Sequence, residues 1–202
     1  MNLQESVALI EAFSSQARLL ENNGNHLREA LEQEKSCSFP SELKAYIDTT
    51  CPKESVEFQG VGNPIALRTL SELSWRMEGY NVNPDTNETI NSWHDNWFLI
   101  ASDGGEPIIV KLDEQNNTSI VYSAMQGEAG WDFFPIADSI GLFLVCAAAL
   151  EHAMDFPGLE ESLDENFNLL GEAAKWLFPF LRYYAGPYYE EWASVFENFE
   201  AY

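Results

Sequence analysis

Positive charge is what this sequence has least of. Ten Lys and Arg residues stand against 33 Asp and Glu in 202 residues, a formal net charge of −23. Such a surface repels a phosphate backbone, which argues against nucleic acid as a partner, and attracts a basic protein, a cationic ligand or a metal ion. Long apolar runs are also missing. The longest, Ile140 to Leu150, falls well short of the ~20 residues that a spanning helix needs, so no membrane association is expected. Met1 to Phe13, which includes Glu5 and Glu11, lacks the basic start and apolar middle of a secretory signal. Cysteine is scarce and odd in number, with Cys37, Cys51 and Cys146 in no CxxC spacing. Free thiols in a reducing, cytoplasmic setting are therefore expected.

Catalytic signatures are absent too. No GxSxG, GxxxxGK[ST] or GxGxxG occurs, which removes the common hydrolase, nucleotide-phosphate and dinucleotide sites. The three histidines, His26, His94 and His152, lie in separate segments without an HExxH or i, i+4 pairing. Carboxylates do pair in sequence, as in Glu160-Glu161, Asp164-Glu165 and Glu190-Glu191. A glycosidase needs two acids at a fixed separation across a groove, which sequence adjacency does not supply. Asp103-Gly104-Gly105 and Asp113-Glu114 lack the alternating oxygen ligands of a calcium loop and read as hairpin turns. No catalytic residue, metal or cofactor is expected.

What is present is enough for a folded core. The composition is 46% hydrophobic, and a chain of this length buries roughly 70% of its unfolded surface, so residues 1–202 are read as one domain. Leu3, Val7, Ile10, Ala17 and Leu20 predict a first helix that stops at Asn22-Asn23-Gly24, and Leu27, Ala30 and Leu31 a second. Pro40-Ser41-Glu42 opens a third. Val56-Glu57-Phe58 and Ile65-Ala66-Leu67 are short strands, Thr69 to Met77 reads as one or two helical turns, and Asn81 to Asn96 as a surface loop. A three-stranded meander follows: Trp97 to Ala101, Pro107 to Leu112 and Thr118 to Met125, with a turn over Asp113 to Asn117. Ile136 to Met154, Leu163 to Tyr184 and Pro187 to Phe199 predict three further helices, the first of them buried. The fold class is α+β, a small, mostly antiparallel sheet flanked by N-terminal and C-terminal helices.

Charge and rings converge on the carboxyl end. Residues 78–138 hold 11 acids and one base, and residues 151–202 hold 11 acids and two bases. Eleven of the last 27 residues are aromatic. Trp192, Phe196 and Phe199 recur at helical spacing and suit a core, but Tyr183-Tyr184 and Tyr188-Tyr189 around Gly186-Pro187 cannot all point inward. Tyrosine beside exposed carboxylate is the residue mix of a surface that anchors a basic protein. The expected partner-binding residues are Glu160, Glu161, Asp164, Glu165, Tyr188, Tyr189, Glu190, Glu191 and Trp192.

A longer pattern spans the middle of the chain. Phe39-Pro40-Ser41-Glu42-Leu43-Lys44-Ala45-Tyr46-Ile47 comes first, then Ile65-Ala66-Leu67, Leu70-Ser71-Glu72-Leu73 and Gly79-Tyr80. Trp97-Phe98-Leu99-Ile100-Ala101-Ser102-Asp103-Gly104-Gly105-Glu106-Pro107-Ile108 follows, then Val121-Tyr122 and Gly130-Trp131-Asp132 before Ile136-Ala137-Asp138-Ser139-Ile140. In this order the pieces resemble the SUKH superfamily, which includes yeast cell-wall assembly regulators of the Smi/Knr type and many bacterial immunity proteins. The resemblance covers about residues 38–153, with 1–37 and 157–202 as helical extensions, and Asp48-Thr49-Thr50-Cys51-Pro52 stands where many members have an Asn-Gly turn. The matching residues read as scaffold: Gly104 and Gly105 for the turn, Trp97 and Trp131 between sheet and helix, Asp138 or Ser139 as helix cap. The resemblance implies a non-enzymatic binding domain, in bacterial members one that neutralises a cognate toxin, and the acidic charge of this chain makes a basic toxin the expected one. A regulatory scaffold for a cellular protein is the alternative, and a carboxylate-dependent hydrolase the least favoured reading.

Overall fold

The computed structural model describes residues 1–22, 24–113, 118–127 and 130–202. Six strands form one antiparallel sheet in the order β1-β2-β3-β4-β5-β6: Val56–Phe58, Ile65–Leu67, Trp97–Asp103, Glu106–Lys111, Val121–Gly127 and Gly130–Ala137. Six α-helices accompany it among the described residues: α1 (Leu3–Glu11), α2 (Asn25–Lys35), α3 (Ser41–Ala45), α4 (Ile140–Met154), α5 (Gly171–Tyr184) and α6 (Tyr189–Ala193). The α+β class and the helix-flanked antiparallel sheet thus hold. The meander is longer than three strands. Its final strand, β6, hides behind Pro135, which a central strand rejects but a sheet edge tolerates because no neighbour needs its missing N–H. The turn expected over Asp113 to Asn117 lies largely outside the described residues, as does Asn23 of the expected helix stop.

The sheet is covered on both faces, so β3 and β4 are buried along four successive residues instead of alternating. Phe98, Ile108, Val110 and Ile136 face the helices. A bulge between Leu99 and Ala101 keeps both Ile100 and Ala101 on that side. Leu99 and Ile109 face the other way and meet Met77 and Trp93, with Tyr80, Trp97, Trp131 and Phe133 packed around them. Trp97 and Trp131 therefore do not fill the space between sheet and helix; strand alternation carries them to the opposite face. The Asn81 to Asn96 loop is the cover for that face. Asn81 folds it by donating Nδ2–H to the Trp75 carbonyl at 2.6 Å and accepting the Met77 N–H at 2.8 Å; of the one or two helical turns expected over Thr69 to Met77, one forms, closed by the Leu73 N–H on the Thr69 carbonyl at 3.2 Å, before this side-chain turn takes over.

α4 is the centre of the helical layer. It is apolar all round because it is enclosed all round, by the sheet, α1 and α5. Ser139 caps it, accepting the Leu142 N–H at 3.0 Å. α1 is shorter than its periodicity suggests: Ser14 accepts the Gln16 N–H at 3.2 Å and starts a separate 3₁₀ turn over Ser15–Leu19. The helix expected from Leu163 starts only at Gly171, because the Asp164 side chain builds a turn of its own (below), and the last predicted helix shrinks to α6 and two 3₁₀ turns. None of the described helices is long and apolar enough to cross a membrane.

Candidate partner-binding surface

The C-terminal segment shows how the tyrosines divide. On α5, Leu177, Phe178 and Leu181 are buried against the core, which turns Tyr183 outward to 79% exposure and leaves Tyr184 half-buried. Gly186, at φ +56°, makes the tight reversal after α5 that a side chain would strain. Pro187 follows, exposed, and starts a 3₁₀ turn where its missing N–H costs nothing. Tyr188 is half-buried and donates its O–H to Asp138 Oδ1 at 2.9 Å. With Ser139 acting as the α4 cap, Asp138 is left for this tyrosine.

Two of the expected contact residues are core instead. Tyr189, 8% exposed, donates its O–H to the Phe199 carbonyl at 2.9 Å and lies under the Arg182 guanidinium, 4.0 Å from the ring centre. Trp192, 4% exposed, donates its indole N–H to the Ile136 carbonyl at 2.7 Å. A large ring with one polar atom is held inside when a carbonyl is waiting for it. Both are too buried to anchor a partner, and both leave the set of contact residues.

The acids fall into two groups. Glu160, Glu161 and Glu165 are exposed on the segment between α4 and α5. Asp164 Oδ1 accepts the N–H groups of Asn166 and Asn168 at 2.8 and 2.9 Å, and Oδ2 accepts Asn168 Nδ2–H at 2.9 Å. The Asn168 amide, first by its side chain, holds the Asp164 carboxyl below the usual carboxylate range; its task is the turn. That turn is tied to the chain beyond α6, since Asn198 exchanges hydrogen bonds with the backbone of Leu169. Glu190 and Glu191 are exposed at the start of α6, and no hydrogen bond or ion pair among the described residues joins the two groups.

What the structure brings together was only partly anticipated. Tyr183, Tyr184 and Pro187 enclose a cleft of about 510 Å³ with Asp138, Glu5 and Leu142. Its chemistry is rings beside carboxylates, a combination able to hold a cationic group by cation–π contact and ion pairing together. The burial of Leu177, Phe178 and Leu181 at helical spacing was the available signal for an outward Tyr183. Most cations are already committed inside the chain. Arg28, Lys35, Lys44, Arg68, Arg76 and Lys175 form ion pairs, and Lys111 and Arg182 lie over tyrosine rings. In residues 151–202 the ion pair present among the described residues is Lys175 with Glu172. Glu160, Glu161, Glu165, Glu190 and Glu191 keep their field toward solvent.

The clefts with polar chemistry elsewhere are assembled differently from a catalytic relay. One of about 660 Å³ contains Ser14, Glu151 and His152. Ser14 Oγ donates to Glu151 at 3.1 Å, whereas His152 sits among the rings of Phe13, Phe156 and Trp176, where burial lowers its pKa. Serine and histidine are not partnered as nucleophile and base. Among the described residues no cluster of three or more His, Cys, Asp or Glu is arranged to hold a metal ion.

Comparison with known protein families matches residues 28–145 to the SMI1/KNR4 family (SUKH-1). The chain belongs to this family. None of the curated proteins compared matches it. The family match begins within α2 and ends within α4, so it takes in the whole sheet, while α1, α5 and α6 lie outside it. Membership supports a protein-binding domain of the SUKH superfamily. The Tyr183 cleft draws Asp138 and Leu142 from the family segment and its rings from the C-terminal extension.

Proposed function

We propose that this SUKH-1 protein is a non-enzymatic immunity protein of the cytoplasm, which binds a cognate basic toxin and blocks it by occupying its surface. The observation that carries this reading is the cleft of Tyr183, Tyr184, Asp138 and Glu5, on a chain whose exposed Glu160, Glu161, Glu165, Glu190 and Glu191 have no ion pair among the described residues. The rings supply rigid apolar area, and the surrounding charge accelerates encounter with a cationic surface more than it adds affinity. Glu160, Glu161, Glu165, Tyr188, Glu190 and Glu191 remain in the proposed surface. A regulatory scaffold would use the same surface on a cellular protein.

The test is co-expression of the chain with candidate basic toxin domains, those of the reading frames neighbouring its gene first. Survival that depends on Tyr183 and Glu190, with formation of a stoichiometric complex, supports the proposal. Survival without complex formation, or with chemical alteration of the toxin or its target by this chain, overturns it.

A further inference from the structure

A second surface lies at the open end of the sheet, where the family segment meets the C-terminal extension. The hairpin of β3 and β4 ends in the pair Asp103 and Glu106, directly opposite each other across the strands, and Ile65 of β2 pairs with Asp103 on its other side. Leu150, near the end of α4, borders this end of the sheet. Between it and α6 runs a groove with Ile108, Phe134 and Ile136 on the sheet side and Trp192 and Val195 on the other. Met125 and Val195 are 58% and 39% exposed there. Asp103, Glu106 and Glu191 line the same groove, and among the described residues none of the three has a cation within ion-pair distance.

We infer that this groove seats a short cationic, amphipathic segment of a partner protein, with one apolar side chain on the Met125–Val195 floor and Lys or Arg side chains against Asp103, Glu106 and Glu191. The inference deepens the binding reading above and rests on it for the kind of partner.

Size and charge together select this occupant. The groove holds about 200 Å³, below the ~300–1,000 Å³ of sites that enclose small molecules, but suited to a single anchoring side chain. Two carboxylates facing each other at the end of a hairpin repel, which a sheet tolerates only at a cost. Burial, with Glu106 adding to it, raises the Asp103 pKa, so a cation placed between them relieves an existing strain. The wall contributed by Glu191, Trp192 and Val195 lies outside the family match. The groove is thus a feature of this chain's own extension laid on a shared sheet.

The four methionines, Met1, Met77, Met125 and Met154, provide the readout as ¹³C-methyl signals of the intact protein. A 12-residue alternating Lys/Leu peptide is the probe, with Lys/Ser and Glu/Leu peptides of equal length as controls. The Met125 signal, assigned with Met125→Leu, shifts saturably with Lys/Leu and not with either control. Glu191→Lys, an exposed change that leaves the fold intact, weakens that titration by about fivefold, the size of one lost surface pair, while Tyr183→Ala leaves it unchanged. A still Met125 signal, an equal shift with Lys/Ser, or a shift confined to Met1 overturns the groove assignment. Because Met1 lines the Tyr183 cleft, the last result overturns the groove and leaves the proposed function standing.

Discussion

The indole N–H of Trp192 donates to the carbonyl of Ile136 at 2.7 Å, fastening α6 to the edge strand β6. This bond decides what Trp192 is for. Truncation to alanine removes a buried ring and orphans the carbonyl, and is expected to cost about 3–5 kcal/mol. Trp192→Phe keeps most of the packing and is expected to cost about 1–2 kcal/mol. Tyr183→Ala, by contrast, changes stability by less than about 0.5 kcal/mol. Urea denaturation of the three variants checks the order; comparable losses for Tyr183 and Trp192 would reverse the assignment of surface and core.

Gly141 is required by a close helix crossing. A Cβ there would run into Ser6 Oγ of α1. Gly141→Ala is expected to destabilise by about 1–3 kcal/mol through overpacking. Ser6→Gly in the same chain removes the obstacle and is expected to recover part of the loss, so a double-mutant cycle should give a clear favourable coupling.

Glu42 sets one pH dependence. Its buried carboxylate accepts the Ser119 N–H at 2.7 Å and the Gly141 N–H at 3.2 Å, linking α3 to the start of α4. Burial raises its pKa despite these bonds. A carboxyl raised in the folded state binds its proton more tightly there than in the unfolded chain. Its contribution therefore diminishes as pH rises from the unfolded value near 4.5 through the folded one. Glu42→Gln is expected to flatten that part of the stability curve, and Glu42→Ala to cost about 1–3 kcal/mol by stranding buried amides. Denaturant midpoints between pH 4 and 7 provide the measurement.

Glu32 works in the opposite direction. Burial disfavours its charge, but the Phe39 amide, Lys44 and Arg28 outweigh this and hold its pKa below the usual value. Its stabilisation is full above the unfolded pKa and is lost as pH falls through the folded one. In Glu32→Gln the wild-type loss of stability on acidification should shrink, as read by thermal melts at descending pH.

Thiol reactivity should rank by burial. Cys51 and Cys146 are buried, and burial pushes Cys51 up to about 12 and Cys146 higher still. Cys37 is half-buried, with its pKa raised less. A thiol reagent applied to the native chain should modify Cys37 first and reach the other two only on unfolding.

Much of this architecture could be read from the chain. β1 and β2 are legible as Val56-Glu57-Phe58 and Ile65-Ala66-Leu67, because short segments with apolar residues at alternate positions, set apart by Gly60, Gly62 and Pro64, leave little else to form. Helix α2 follows from local chemistry in the same way, and of the two caps the sequence offers for α4, Asp138 or Ser139, the structure uses Ser139. β6 did not, since Pro135 argues against a strand unless the strand is known to lie at an edge, and edges exist only after the sheet is assembled. The orientation of Tyr188, Tyr189 and Trp192 was equally hidden. Adjacent rings look alike in sequence, and which one turns inward depends on carbonyls at Ile136 and Phe199, supplied by separate parts of the fold.

The central claim is that this protein acts by adhering to a basic polypeptide through the acidic, tyrosine-bearing C-terminal surface. Calorimetric titration of a basic toxin domain, sought in the reading frames neighbouring the gene, into the intact chain and into Tyr183→Ala/Glu190→Lys tests it most directly. The account predicts a stoichiometric complex that weakens with added salt and loses at least about tenfold in affinity in the variant, with unchanged melting temperature. Equal binding by both proteins, or no binding by either, would contradict it.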